Sequence, residues 1–205
     1  MLLRQAGIEP LIFSPEVDED AVGAAAEAER GAPLAPAELV LLLARAKAAD
    51  VAHRLPAQHP DFDGIVIGGD SMFALGGQVY GKPYTPEAAR ERWRLMRGAT
   101  GVLHSGHSVF RVSPGTAPVE ATATASAGVT FADDLTDAEI DAYIATGEPL
   151  LVAGAFTVDS LGGAFITRVD GDPSTVVGMS LSTLRRLAAE LGVTWTDLWS
   201  AAVGS

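Results

Sequence analysis

An apolar run, Ile65-Val66-Ile67, leads straight into Gly68-Gly69-Asp70-Ser71, and a second fragment, Tyr80-Gly81-Lys82-Pro83, follows it. No other part of the chain constrains the fold as much. A short β-branched run reads as a core strand. Two glycines behind it let the backbone turn tightly and leave room for a ligand. The turn is expected to present the Asp70 carboxylate, and the later fragment the Lys82 ammonium. An acid and a base on two rigid turns suit a metal-bound polyphosphate; two ordinary surface turns would have the same spacing.

The 205 residues suffice for one domain with a full core. The balance of 14 Lys+Arg against 26 Asp+Glu, a formal charge of −12, argues against a nucleic-acid polymer as partner. Such binding draws its affinity from basic residues that neutralise phosphates. A single nucleotide needs only a local cluster of cations. The chain has no cysteine, so it makes no disulfide, thiolate ligand or thiol nucleophile, which fits a cytoplasmic location. The longest dense apolar run, Leu39 to Ala44, is far short of the ~20 residues that span a bilayer, so no membrane partner is expected.

Leu2 to Gly7 reads as the end of a helix closed by glycine, and Ile8 to Ser14 as a strand. Residues 21–37 read as a loop or loose helix. A helix follows from Pro36, with Val40, Leu43, Lys47 and Val51 on one stripe. Lys47 either snorkels to the surface from there or aims into a cleft. Gly76-Gly77 marks a hairpin. Thr85-Pro86-Glu87 opens a helix that stops at Gly98. Val102 to Val112 and Val119 to Phe131 read as long strands, and on such strands His104 and His107 face opposite ways. Leu135 to Thr146 is expected to be a helix with a solvated acidic face, ended by Gly147-Glu148-Pro149. A short strand should reach Val169, and Asp172-Pro173-Ser174 should cap another helix start. Leu181 to Leu191 is the last clear helix. These elements predict one α/β domain over 1–205, with helices on both faces of a mixed sheet.

The chain also contains Val17-Asp18-Glu19, Leu43-Ala44-Arg45-Ala46-Lys47-Ala48, Gly69-Asp70-Ser71 and Gly81-Lys82-Pro83. Further on come Ser105-Gly106, Gly147-Glu148-Pro149, Ala153-Gly154-Ala155-Phe156 and Gly171 to Gly178. In order and spacing these blocks resemble the Maf family over nearly the whole chain. That family comprises nucleoside triphosphate pyrophosphatases, also described as septum-formation inhibitors. The resemblance implies a long-stranded mixed sheet in two lobes with nucleotide in the cleft between them. It implies hydrolysis between the α and β phosphates of a nucleoside triphosphate with Mg²⁺ or Mn²⁺, by a homodimer, and non-standard nucleotides are expected within the substrate range. Asp70 matches the family's proton acceptor, and Glu19, Lys47 and Lys82 match its acidic and basic cleft residues. Glu19 and Asp70 suffice as protein ligands for Mg²⁺, which prefers few carboxylates. A nucleotide-binding regulator of cell division with little turnover is the alternative reading.

Two departures from the family pattern bear on this. A Ser-x-Ser-Pro-x-Arg loop precedes the first helix in the family and is missing ahead of Leu2. A start assigned too far downstream, a shortened chain or a genuine loss would each explain this, and only if the protein truly begins here are weak activity and poor stability expected. The branch of the family that prefers dTTP and UTP has threonine at Ser71 and glutamine at Asp159. An ionised Asp159 only accepts hydrogen bonds, and is expected to favour a base edge that presents N–H donors.

Overall fold

The computed structural model describes residues 2–200. They gather into two compact units. The first holds the residues up to Asp70, Gly106–Thr124 and those from Leu181 onward; the second holds Ser71–Ser105 and Ala125–Ser180.

The first unit opens with helix α1, Leu2–Gln5, closed as expected by Gly7 at φ 82°. Ile8 to Ser14 joins no strand. Pro10 lies within it and Pro15 follows it, and neither supplies an N–H to a ladder; Leu11 and Ile12 are left 70% and 79% exposed. Helix α2 spans Glu19–Arg30, where the sequence suggested a loop or loose helix. Its alanine-rich stretch has high helix propensity, Asp18 accepts from the Ala21 N–H, and Gly31 takes the left-handed C-cap. Helix α3, Pro36–Gln58, buries the predicted stripe through Val40, Leu43 and Val51. Its apolar face packs on Val66, Phe110 and Val112.

The second unit is built around aromatic rings. Phe73, Trp93, Phe131, Tyr143, Phe156 and Phe165 meet edge to face at centroid distances of 5.0 to 6.0 Å, the arrangement that ring quadrupoles favour. Helix α4, Pro86–Met96, brings in Trp93, and helix α5, Asp137–Ala145, brings in Tyr143. The acidic face of α5 is not merely solvated, since Asp141 pairs with Arg90 of α4 and Asp137 with Arg97 just after it. The short helix α6, Pro173–Val177, has Asp172 as its N-cap. Helix α7, Leu181–Glu190, belongs to the first unit.

Five strands form one sheet in the order β2-β1-β3-β4-β5. They are β1 Gly64–Leu75, β2 Gln78–Tyr80, β3 Thr100–Val112, β4 Val119–Phe131 and β5 Ile166–Asp170. The hairpin between β1 and β2 turns on Gly76 and Gly77, both at positive φ, with Leu75 opposite Gln78. The α/β class is as the sequence implies, and the strand directions are antiparallel where a mixed sheet was expected. The β1–β2 and β4–β5 pairs are antiparallel. At one end of β1, Arg111 of β3 donates to the Gly64 carbonyl; at the other, Gly101 lies against Phe73. Thr100 meets Thr130, and His104 meets Ser126. A long hairpin joins β3 to β4, so neither needs a parallel crossover.

Candidate active site

Gly68, Gly69, Asp70 and Ser71 lie inside β1, not on a turn after it. Gly68 serves helix packing instead of chain reversal. A Cβ there would stand 2.7 Å from both the Ala44 carbonyl oxygen and the Ala48 Cβ. At Gly106 of β3 a Cβ would stand 2.2 Å from the Val40 carbonyl oxygen. Helix α3 therefore lies directly on the strand backbone at two glycines, an approach that only a residue without a side chain permits.

That close approach brings Lys47 to Asp70. Lys47 Nζ donates to Asp70 Oδ1 at 2.7 Å and forms an ion pair with Glu19 Oε1 at 2.9 Å. The side chains are 17% exposed at Lys47, 14% at Asp70 and 49% at Glu19. Of the two readings for Lys47, the structure favours the inward one. Burial draws the Lys47 pKa down, but its bonds to Asp70 and Glu19 outweigh burial and hold it above the ordinary lysine value of 10.5. The ammonium is a fixed positive charge between two carboxylates. Beside it lies a cavity of about 500 Å³, walled by apolar residues such as Phe13, Val51, Ile65 and Ile67 and reaching Lys47, Gly68 and Gly69.

The other three residues singled out by the sequence lie in the second unit. Ser71 Oγ donates to the Gly178 carbonyl at 3.0 Å and lies 2.7 Å from Ser105 Oγ. Ser105 in turn donates to the Thr175 carbonyl. With its one proton engaged, Ser71 ties β1 to the loop after α6. Lys82 is exposed and has no hydrogen-bond or ion-pair partner among the described residues. Its turn is held in place by Arg92, which donates to the Gly81 carbonyl and lies 5.0 Å over the Tyr80 ring. Asp159 is exposed at a loop tip. His104 bonds Ser126, and His107 is fully buried. No group of three or more His, Asp or Glu side chains among the described residues is placed to hold a metal ion.

Two supporting residues escaped the sequence reading. Arg92 sits on an otherwise ordinary helix, and nothing in its spacing marks it. Glu148 was read only as part of a helix stop, although an acid between Gly147 and Pro149 with hydroxyls at Thr157 and Ser160 downstream is a usable signal.

The family model described as Maf-like protein matches residues 1–191. A nucleoside triphosphate pyrophosphatase of Leifsonia xyli subsp. xyli is 60% identical over 201 residues, covering 98% of this chain and 92% of the relative. One from Nocardia farcinica is 48% identical over 198 residues, covering 97% and 90%. One from Salinispora tropica is 51% identical over 199 residues, covering 97% and 81%. A match that extends through α7, at identities of this order, takes in every residue of the Glu19, Lys47 and Asp70 cluster: the chain belongs to the Maf family.

Proposed function

We propose that this chain is a nucleoside triphosphate pyrophosphatase. It hydrolyses the α–β phosphate bond of nucleoside and deoxynucleoside triphosphates, non-standard ones included, to a monophosphate and pyrophosphate. The observation that carries the reading is the Lys47–Asp70 pair, a shielded carboxylate locked to an ammonium at 2.7 Å.

Water attacks the α-phosphorus, its oxygen forming the new P–O bond while its proton passes to the Asp70 carboxylate. The bond from the α-phosphorus to the bridging oxygen breaks, and pyrophosphate leaves with the electron pair. A positioned base of this kind contributes about 10²–10⁴-fold in rate. Negative charge grows on the departing group, and Lys47 is a cation fixed in advance where burial strengthens its field. The cavity walls are apolar apart from Lys47 and Glu9, so the phosphates are assigned to its Lys47 end. Lys82, exposed and with no ion-pair partner among the described residues, is proposed as a second phosphate cation, and Asp159 as an acceptor for N–H groups on the base.

Mg²⁺ or Mn²⁺ fits the donor set. Glu19 and Asp70 both contact Lys47 Nζ and would hold the ion, since Mg²⁺ takes one or two carboxylates plus substrate oxygens and waters. When bound there, the ion would neutralise phosphate charge. The homodimer and the cytoplasmic location are part of the same proposal, supported by the family resemblance.

Pyrophosphate release over a panel of triphosphates, with and without Mg²⁺ or Mn²⁺, tests the reading. Metal-dependent release that Asp70→Asn abolishes is expected. Absence of release from every triphosphate would overturn it.

A further inference from the structure

After α5 the chain runs Gly147-Glu148-Pro149, and the Glu148 carboxylate accepts five hydrogen bonds. Its Oε1 accepts from the Tyr143 hydroxyl at 2.9 Å, the Thr157 hydroxyl at 2.5 Å and the Gly162 N–H at 3.1 Å. Its Oε2 accepts from the Ser160 hydroxyl at 2.8 Å and the Leu161 N–H at 3.3 Å. Four of these five donors belong to one short loop, residues 157–162. The loop closes tightly at its base, where a Cβ on Gly162 would stand 2.7 Å from the Thr157 carbonyl oxygen and 2.6 Å from the Tyr143 hydroxyl. At its tip sits Asp159, exposed and with no hydrogen-bond or ion-pair partner among the described residues. One carboxylate thus grips the loop immediately on both sides of another that is left outward and unspent.

We infer that Glu148 is a positioning residue for base discrimination: it fixes the 157–162 loop so that Asp159 meets the N–H edge of a nucleobase in one orientation. The inference rests on the nucleotide-hydrolysing reading above. Hydrogen bonds to an ionised acceptor are about twice as strong as neutral ones, and a contact ~1 Å out of place loses much of its directional selectivity. Only a carboxylate satisfies this site. Glutamine would put an N–H₂ donor against either three donors or two, whichever way the amide turns. Aspartate keeps the charge on a shorter arm.

The test is the spread of kcat/KM over ATP, GTP, CTP, UTP and dTTP, with the spread of Kd for their α,β-methylene analogues measured alongside. Glu148→Gln is expected to narrow both spreads about tenfold, the equivalent of one charge-assisted hydrogen bond. Glu148→Asp should restore part of that loss, and Ser160→Ala should fall between. In an Asp159→Asn background, Glu148→Gln should change neither spread further. A purely structural Glu148 would scale all substrates together; that result, or wild-type spreads in folded Glu148→Gln and Ser160→Ala proteins, would overturn the inference. If Glu148→Gln does not fold, Thr157→Val and Ser160→Ala carry the same comparison. Loss of turnover with discriminating Kd values intact would strike the pyrophosphatase reading alone, and unchanged spreads with turnover intact would strike this inference alone.

Discussion

Lys47 Nζ lies 2.7 Å from Asp70 Oδ1, and both side chains are more than four-fifths shielded from water. Removing one charge of such a pair leaves the other in a poor dielectric, which costs more than the pair itself contributes. Lys47→Met is therefore expected to lower stability by about 1–3 kcal/mol, less than for a fully buried pair because each group keeps some solvent. It should cut kcat by about 10²-fold or more through the lost charge on the leaving group. Denaturant unfolding beside steady-state kinetics measures both, and unchanged stability would contradict the shielded pair.

Gly68 sets the distance between that lysine and that aspartate. A methyl group at residue 68 would collide with the Ala44 carbonyl and with Ala48, so Gly68→Ala must lift α3 from β1. Overpacking of this kind costs about 1–3 kcal/mol. Activity is expected to fall further than stability alone explains, because Lys47 moves with the helix. Gly31→Ala is the comparison, since Gly31 has open space around it but a positive φ; it should lose stability and keep kcat. Equal kcat in the two variants would contradict the prediction.

Ser71 should behave as a tie and not as a substrate ligand. Its proton goes to the Gly178 carbonyl. Ser71→Ala is expected to cost about 1 kcal/mol of stability, the net worth of one hydrogen bond, with KM for triphosphates changed less than about threefold. A large rise in KM without loss of stability would instead make Ser71 a substrate ligand.

Glu148 gives the fold a distinct acid dependence. Burial pushes its pKa up, but the bonds from Thr157, Ser160, Tyr143 and Gly162 overcome burial and hold it at about 2 against an ordinary 4.5. A depressed carboxylate stabilises the fold above its unfolded pKa, and that contribution is lost as pH falls from 4.5 toward 2. Lys47 has the opposite sign: its contribution is complete below pH 10.5 and fades as pH rises through its higher folded value. Stability measured against pH should fall less steeply between 4.5 and 2 in Glu148→Gln than in the wild type. Identical slopes would contradict the assignment.

The strands and most helices were legible because their signals are local: Gly76-Gly77 dictates its own hairpin, and Thr85-Pro86 its own helix start. Ile8 to Ser14 misled because an apolar run says nothing about whether a partner strand is available. Gly68-Gly69 misled for a related reason. A glycine needed for close helix approach looks in sequence like one needed for a turn, and only the position of α3 decides between them. Lys47 was half legible, since periodicity put it on the inward face, but the carboxylates that fix it there are distant in the chain. Glu148 was missed because its five donors come from two other segments, Tyr143 of α5 and the 157–162 loop, and tertiary closure alone collects them.

The central claim is that water, deprotonated by Asp70, attacks the α-phosphorus. The most direct measurement is hydrolysis in ¹⁸O-labelled water with Mg²⁺ or Mn²⁺, the products weighed by mass spectrometry. The account predicts one ¹⁸O in the nucleoside monophosphate, none in the pyrophosphate, and no turnover in Asp70→Asn. Label in the pyrophosphate, or release of orthophosphate in its place, would contradict it.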